Sequence, residues 1–230
     1  MQTIDKLSKV KGFIFDLDGT LLDTLISLSN SYNRGLVQLG MPTHEPNSYR
    51  YFIGDGARRC VERCLPAPEP DHVDQLLALQ LEDYQATWRD DVSIYQGIDS
   101  LLSYLSLQAY PCAVLSNKNH SFTRLCVEHF FPSVSFDAIQ GFTQQVPHKP
   151  NPIGALKIAE QLALAPSELA IVGDTKMDIE TAVSCGMLAI GALWGFRDRH
   201  ELESAGADLI LESPADLLQL LQSTNIKTQA

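Results

Sequence analysis

The chain has 230 residues, enough for one domain or one domain with an insert, and 45% hydrophobic against 20% charged residues excludes a disordered or fibrous protein. Lys and Arg number 17 and Asp and Glu 28, so the net charge of −11 argues against nucleic acid and against an anionic membrane surface as partners. No apolar run approaches the ~18 residues of a membrane span, no small-residue cleavage site follows the N-terminal apolar run, and five cysteines without a Cys-x-x-Cys pair fit free thiols in a reducing cytoplasm.

The first predicted strand covers 10–16 (VKGFIFD), a short apolar run ending in acid. Residues 24–90 then contain no strand pattern. Helical patterns fill them instead, over 25–39, 49–53, 58–65 and 71–88, with Pro66, Pro68 and Pro70 separating the last two. Cys60 and Cys64 fall four apart on one face of the third. A helix at 97–107 returns the chain to an alternating rhythm. Strands follow at 110–116 and 136–140, a helix at 152–164, a strand at 169–174 and a helix at 178–185 that Gly186 stops. Strands at 188–193 and 208–211 precede a last helix, with Ser213 as its cap and Pro214 in its first turn. Residues 223–230 read as a loose tail.

Continuous apolar strands suit burial on both faces, so the fold class is α/β: a doubly wound, Rossmann-like parallel sheet with an inserted all-helical cap. The expected division is 1–22 and 91–230 as the catalytic core, with 23–90 as the cap. An insert after the first strand sits over the carboxyl end of the sheet, where open α/β sheets bind ligands.

Three strand ends carry chemistry. Asp16 and Asp18 lie two residues apart in Asp-Leu-Asp-Gly-Thr. An Asx turn accounts for Asp18-Gly19, but not for a second acid at the end of the strand. Ser116-Asn117-Lys118 offers a hydroxyl and successive backbone N–H groups to an anion, or is simply a polar loop. Gly173-Asp174-Thr175 is followed by Asp178, which also suits a helix N-terminus. Asp16, Asp18 and Asp174 together make an oxygen-rich cluster suited to a hard cation such as magnesium. Lys149, in His-Lys-Pro-Asn-Pro, is the candidate counter-charge.

In this order the loops resemble the four motifs of the haloacid dehalogenase superfamily: Phe-Asp16-Leu-Asp18-Gly-Thr, Leu-Ser116-Asn117-Lys118, Lys149, and Gly-Asp174-Thr with Asp178. The helical insert falls where that family carries its cap. Phe52 to Arg58 (FIGDGAR), Trp194 to Asp198 (WGFRD) and Ala205 to Asp208 (AGAD) are similar to the phosphoglycolate phosphatase group within it. The resemblance implies a phosphoric monoester hydrolase. Asp16 is then the nucleophile that forms an aspartyl-phosphate, and Asp18 the acid and base. Ser116 and the Asn117 N–H hold phosphoryl oxygens, and Lys149 balances charge on Asp16 and the phosphate. Magnesium is held by the Asp16 carboxylate, the Asp18 carbonyl and Asp174, while Asp178 orients Lys149 or metal-bound water. The implied substrate is a small phosphorylated metabolite, first of all 2-phosphoglycolate, whose carboxylate Gly54 and Arg58 of the cap loop would face.

Other readings start from the same residues: a phosphatase or phosphomutase for a sugar phosphate or another small phosphate, or a catalytically silent binding protein on this fold. A phosphoacceptor receiver domain is about half this length and has no insert. The chain is expected to be cytoplasmic, as a monomer or a homodimer.

Overall fold

The computed structural model describes residues 6–228. Six strands form one parallel sheet: β1 (Gly12–Phe15), β4 (Cys112–Asn119), β5 (Ala138–Phe142), β6 (Leu169–Gly173), β7 (Leu188–Ala192) and β8 (Leu209–Leu211), in the order β5-β4-β1-β6-β7-β8. The strand β1 is central because its side chains alternate between two buried faces. Phe13 and Phe15 enter one apolar cluster and Ile14 enters the other. After β1 the chain builds one half of the sheet and later returns to β1's other side. That reversal opens a crevice at the carboxyl ends of β4, β1 and β6.

After β1 the chain forms β2 (Leu22–Asp23), and four α-helices separate β2 from β3 (Ser93–Ile94). The helices are α1 (Leu25–Gln38), α2 (Tyr49–Phe52), α3 (Ala57–Cys64) and α4 (Pro70–Thr87). They share an apolar cluster of their own, built on Leu28, Tyr32, Leu36, Tyr49, Val61 and Leu76. The antiparallel pairing of β2 with β3 ties the two ends of the insert together. Two-residue strands carry too little pattern to be read in a sequence.

The remaining helices cover the sheet. One face receives α5 (Ile98–Leu107), α6 (His120–Phe130) and α10 (Pro214–Thr228), and the other α7 (Ile153–Gln161), α8 (Lys176–Cys185) and α9 (Arg199–Ser204). Each predicted strand and helix has its counterpart within a few residues. The tail reading is corrected: α10 continues to Thr228, because the helical backbone initiated at Pro214 has no breaker before that point. Residues 229–230 lie outside the described residues. All five cysteines are free, and Cys60 and Cys64 are buried side by side on α3.

Candidate active site

Asp16 follows β1 directly, where its N–H donates to the Val172 carbonyl at 2.9 Å. Its Oδ1 accepts from the Leu17 N–H at 2.7 Å and lies 2.8 Å from Lys149 Nζ. The chain then folds back on itself, with the Leu21 and Leu22 N–H groups both donating to the Leu17 carbonyl. Gly19 is required there twice over. Its φ is +90°, and a Cβ would stand 2.3 Å from Asp174 Oδ2.

The predicted polar loop after β4 is part of the strand, which continues through Asn119. Ser116 is buried, and its Oγ accepts from the Lys118 N–H at 3.2 Å. Asn117 is committed to structure through its side chain. Nδ2 donates to the Gly54 and Lys149 carbonyls at 2.8 and 3.1 Å, and Oδ1 accepts from the Lys149 N–H at 2.6 Å. Asn117 therefore fixes the Lys149 loop and the Gly54 loop of the insert to one strand end. Lys118 turns its ammonium onto Asp18, donating to Oδ1 and Oδ2 at 2.9 and 2.8 Å. It also lies 5.0 Å from the centre of the Tyr84 ring on α4. Burial works against the Lys118 charge, but Asp18 together with Tyr84 and Cys126 outweighs it and holds the ammonium well above the ordinary lysine value.

Lys149 is 3% exposed, which sets it apart from the solvated lysines of a protein surface. Its ammonium contacts Asp16 Oδ1 at 2.8 Å, Asp178 Oδ1 at 2.6 Å and the Leu115 carbonyl at 2.7 Å. Asp178 is fully buried, and its second oxygen accepts from the Thr175 N–H and hydroxyl at 3.1 and 2.8 Å. Its carboxylate is thus spent on Lys149 and on the first turn of α8.

Asp174 is fully buried at the end of β6. Oδ1 accepts from the Thr20 hydroxyl at 3.0 Å and Oδ2 from the Phe196 N–H at 2.8 Å. The loop carrying Phe196 is pinned in turn. Trp194 Nε1 donates to the Thr20 carbonyl at 2.9 Å, and Arg50 of α2 donates to the Gly195 and Phe196 carbonyls at 2.6 and 2.9 Å.

Asp16, Asp18, Asp174 and Asp178 bring four carboxylates to one crevice, against the two ammonium groups of Lys118 and Lys149. The imbalance is felt where burial is deepest. Burial pushes Asp16 up to about 7 despite Lys149. Burial and then the charges of Asp16 and Asp178 push Asp174 well above the usual carboxylate range. One oxygen from each of Asp16, Asp174 and Asp178 lies within 4.8 Å of the others. Hard oxygen donors that outnumber the cations beside them fit a divalent cation of the magnesium type.

The crevice opens into a cavity of about 450 Å³ that reaches from Asp16, Asp18 and Ser116 into the insert. Gly54 lines it and accepts from Asn117 through its carbonyl. Arg58 also lines it, but its side chain is 54% exposed and paired with Asp74 at 2.8 Å and with Glu62. Arg58 therefore stands at the rim rather than among the buried acids. His148 stacks on Phe142 at 3.8 Å, and burial lowers its pKa below the ordinary histidine value.

Four further contributors escape sequence reasoning: Thr20, Lys118, Arg50 and the Phe196 N–H. Thr20, Lys118 and Phe196 stand inside the quoted motifs, but the motifs do not name their partners. Arg50 lies in none of them, and tertiary folding alone brings it to the loop that carries Phe196.

A sequence profile of the haloacid dehalogenase-like hydrolases matches residues 13–192. The phosphoglycolate phosphatase of Chromobacterium violaceum is 29% identical over 222 residues, covering 94% of this chain and 99% of that protein. The phosphoglycolate phosphatase of Aquifex aeolicus is 29% identical over 214 residues, covering 91% and 96%. Among solved structures, a haloacid dehalogenase-like hydrolase from Streptococcus pneumoniae superposes with a TM-score of 0.85 at 26% identity, covering 93% of this chain and 99% of the other. The profile spans all four loops that converge on Asp16, and the chain belongs to the haloacid dehalogenase-like hydrolase family.

Proposed function

We propose that this phosphatase is magnesium-dependent and hydrolyses a small phosphate monoester, first of all 2-phosphoglycolate, through an aspartyl-phosphate on Asp16. The observation that carries the reading is the pairing at the end of β1. Asp16 has its Oδ1 held by the Leu17 N–H and Lys149, and Asp18 stands beside it. The substrate rests on the names of relatives that match nearly end to end at 29% identity.

In the first half-reaction an Asp16 carboxylate oxygen bonds to phosphorus while the ester P–O bond breaks. Asp18 gives its proton to the departing alkoxide. Asp18 accepts two hydrogen bonds from Lys118 in this structure. A protonated carboxyl needs one of those oxygens back, so Lys118 must turn toward the phosphoryl oxygens as substrate enters. In the second half-reaction Asp18 takes a proton from water, whose oxygen attacks phosphorus and frees Asp16 and inorganic phosphate. Ser116 and the Asn117 N–H hold phosphoryl oxygens, and Lys149, steadied by Asp178, balances charge on Asp16. Asp16, Asp174 and the Asp18 carbonyl would hold the magnesium, which when bound offsets phosphate charge that the acids would otherwise repel. Residues 23–90 act as the cap and 1–22 with 91–230 as the core, in a cytoplasmic monomer or homodimer.

The test is hydrolysis of 2-phosphoglycolate and a panel of metabolite esters, with magnesium and with chelator. Turnover that chelation stops and magnesium restores, with 2-phosphoglycolate ranked first, supports the reading. A clear preference for a neutral sugar phosphate overturns the substrate. Absence of turnover on every ester favours a silent binding protein.

A further inference from the structure

A two-carbon ester is much smaller than a cavity of about 450 Å³. Beyond Asp16, Asp18 and Lys118 the walls become mainly apolar: Leu28 and Tyr32 from α1, Leu77, Leu81 and Tyr84 from α4, and Phe122 from α6, with the amide of Gln80 from α4 among them. Tyr84 and Phe122 meet edge to face at 5.1 Å, so two of these walls are rigid rings. Charge is scarce there. Arg58 is spent on Asp74 and Glu62 at the solvent rim. Burial against Phe142 disfavours the charged form of His148. The cavity thus joins a charged phosphoryl end to an apolar chamber of drug-sized volume.

From this division, and resting on the phosphatase reading, we infer that the cap chamber binds phosphate monoesters of alcohols with an uncharged hydrocarbon body, so that the enzyme hydrolyses apolar alkyl and arylalkyl phosphates in addition to 2-phosphoglycolate. The phosphoryl group sits at Asp16 and Lys149, and the hydrocarbon displaces water from the leucine and aromatic walls. Chain length is then the specificity variable, because each buried methylene adds transfer free energy while the reacting atoms stay the same.

The magnesium-loaded enzyme is assayed on n-alkyl phosphates from ethyl to hexyl, with benzyl phosphate and 2-phosphoglycolate alongside. The expected result is kcat/KM rising roughly threefold to fourfold per methylene, or on the order of a hundredfold across the series. A flat or falling series overturns the inference. Leu81→Arg, on the half-exposed face of α4, should reduce the slope and cost hexyl phosphate far more than ethyl phosphate. Equal losses on both count against the chamber. The corresponding n-alkylphosphonates, which have no ester bond to cleave, are titrated by calorimetry in parallel. A Kd that falls with chain length supports the chamber even without turnover, in which case the phosphatase reading alone fails. Turnover of 2-phosphoglycolate with phosphonate Kd values independent of length leaves that reading standing and sinks this one.

Discussion

Asp18 and Asp16 differ in what each loses when its carboxyl becomes an amide. Asp18→Asn keeps the nucleophile and the backbone carbonyl but has no proton to give. Its kcat on alkyl esters should fall by about 10²- to 10⁴-fold, and much less on an aryl ester whose leaving group needs little protonation. Equal losses on both ester types contradict the role. Asp16→Asn should abolish turnover and also alter stability. Burial raises Asp16 to about 7 in the folded chain, against an ordinary value near 3.8. Between those values the folded state binds more protons than the unfolded state, so the metal-free protein loses stability as pH rises through that window. In chelator at pH 8, Asp16→Asn should melt roughly 3 °C or more above the parent, with no such advantage at pH 4. A lower Tm at pH 8 would refute the electrostatic account of this residue. At this scale the acids and Lys149 are legible in the sequence because each stands at the end of an apolar run or in a Pro-bounded loop. Lys118 is not, because an adjacent lysine declares its partner only once β4 lies beside β1.

The segments that hold Asp174 come from both sides of the crevice. Thr20 in the turn after β1 binds one oxygen, the Phe196 N–H binds the other, and Arg50 of α2 pins the loop that carries Phe196. Arg50→Ala should therefore raise the magnesium concentration needed for half-maximal activity several-fold, although Arg50 touches none of the acids. An unchanged magnesium requirement with a raised KM would assign Arg50 to cap packing instead. The cap loop offers a second check. Changing Gly54 or Arg58 should raise KM for 2-phosphoglycolate more than for a neutral aryl phosphate, with Arg58 the milder because it is half-exposed and already paired. Equal effects on the two substrates would remove the loop from carboxylate recognition. The periodicity of α1 to α8 is readable in sequence because it reports local burial. The β2–β3 ladder and the Arg50 contact are not, since each joins residues at least 70 positions apart.

Over the whole molecule, acidity and catalysis pull in opposite directions. A net charge of −11 and four clustered carboxylates disfavour an incoming phosphate ester. The molecule answers locally with two lysines whose ammonium groups are turned onto the acids and with a carboxylate cluster that could hold a cation, and places them where the order of the sheet reverses. The parallel sheet and the insert were legible because unbroken apolar strands and a strand-free stretch are whole-chain patterns. The apolar chamber was not, because its walls come from α1, α4 and α6, whose inward faces look like ordinary core in sequence. In the proposed mechanism phosphorus passes covalently through Asp16. Magnesium-loaded enzyme is mixed with 2-phosphoglycolate, quenched in acid within a turnover and digested for peptide mass mapping. A phosphoryl group is expected on the peptide containing Asp16, and none in Asp16→Asn. A phosphorylated residue elsewhere, or rapid turnover with no phosphoprotein at any quench time, would contradict it.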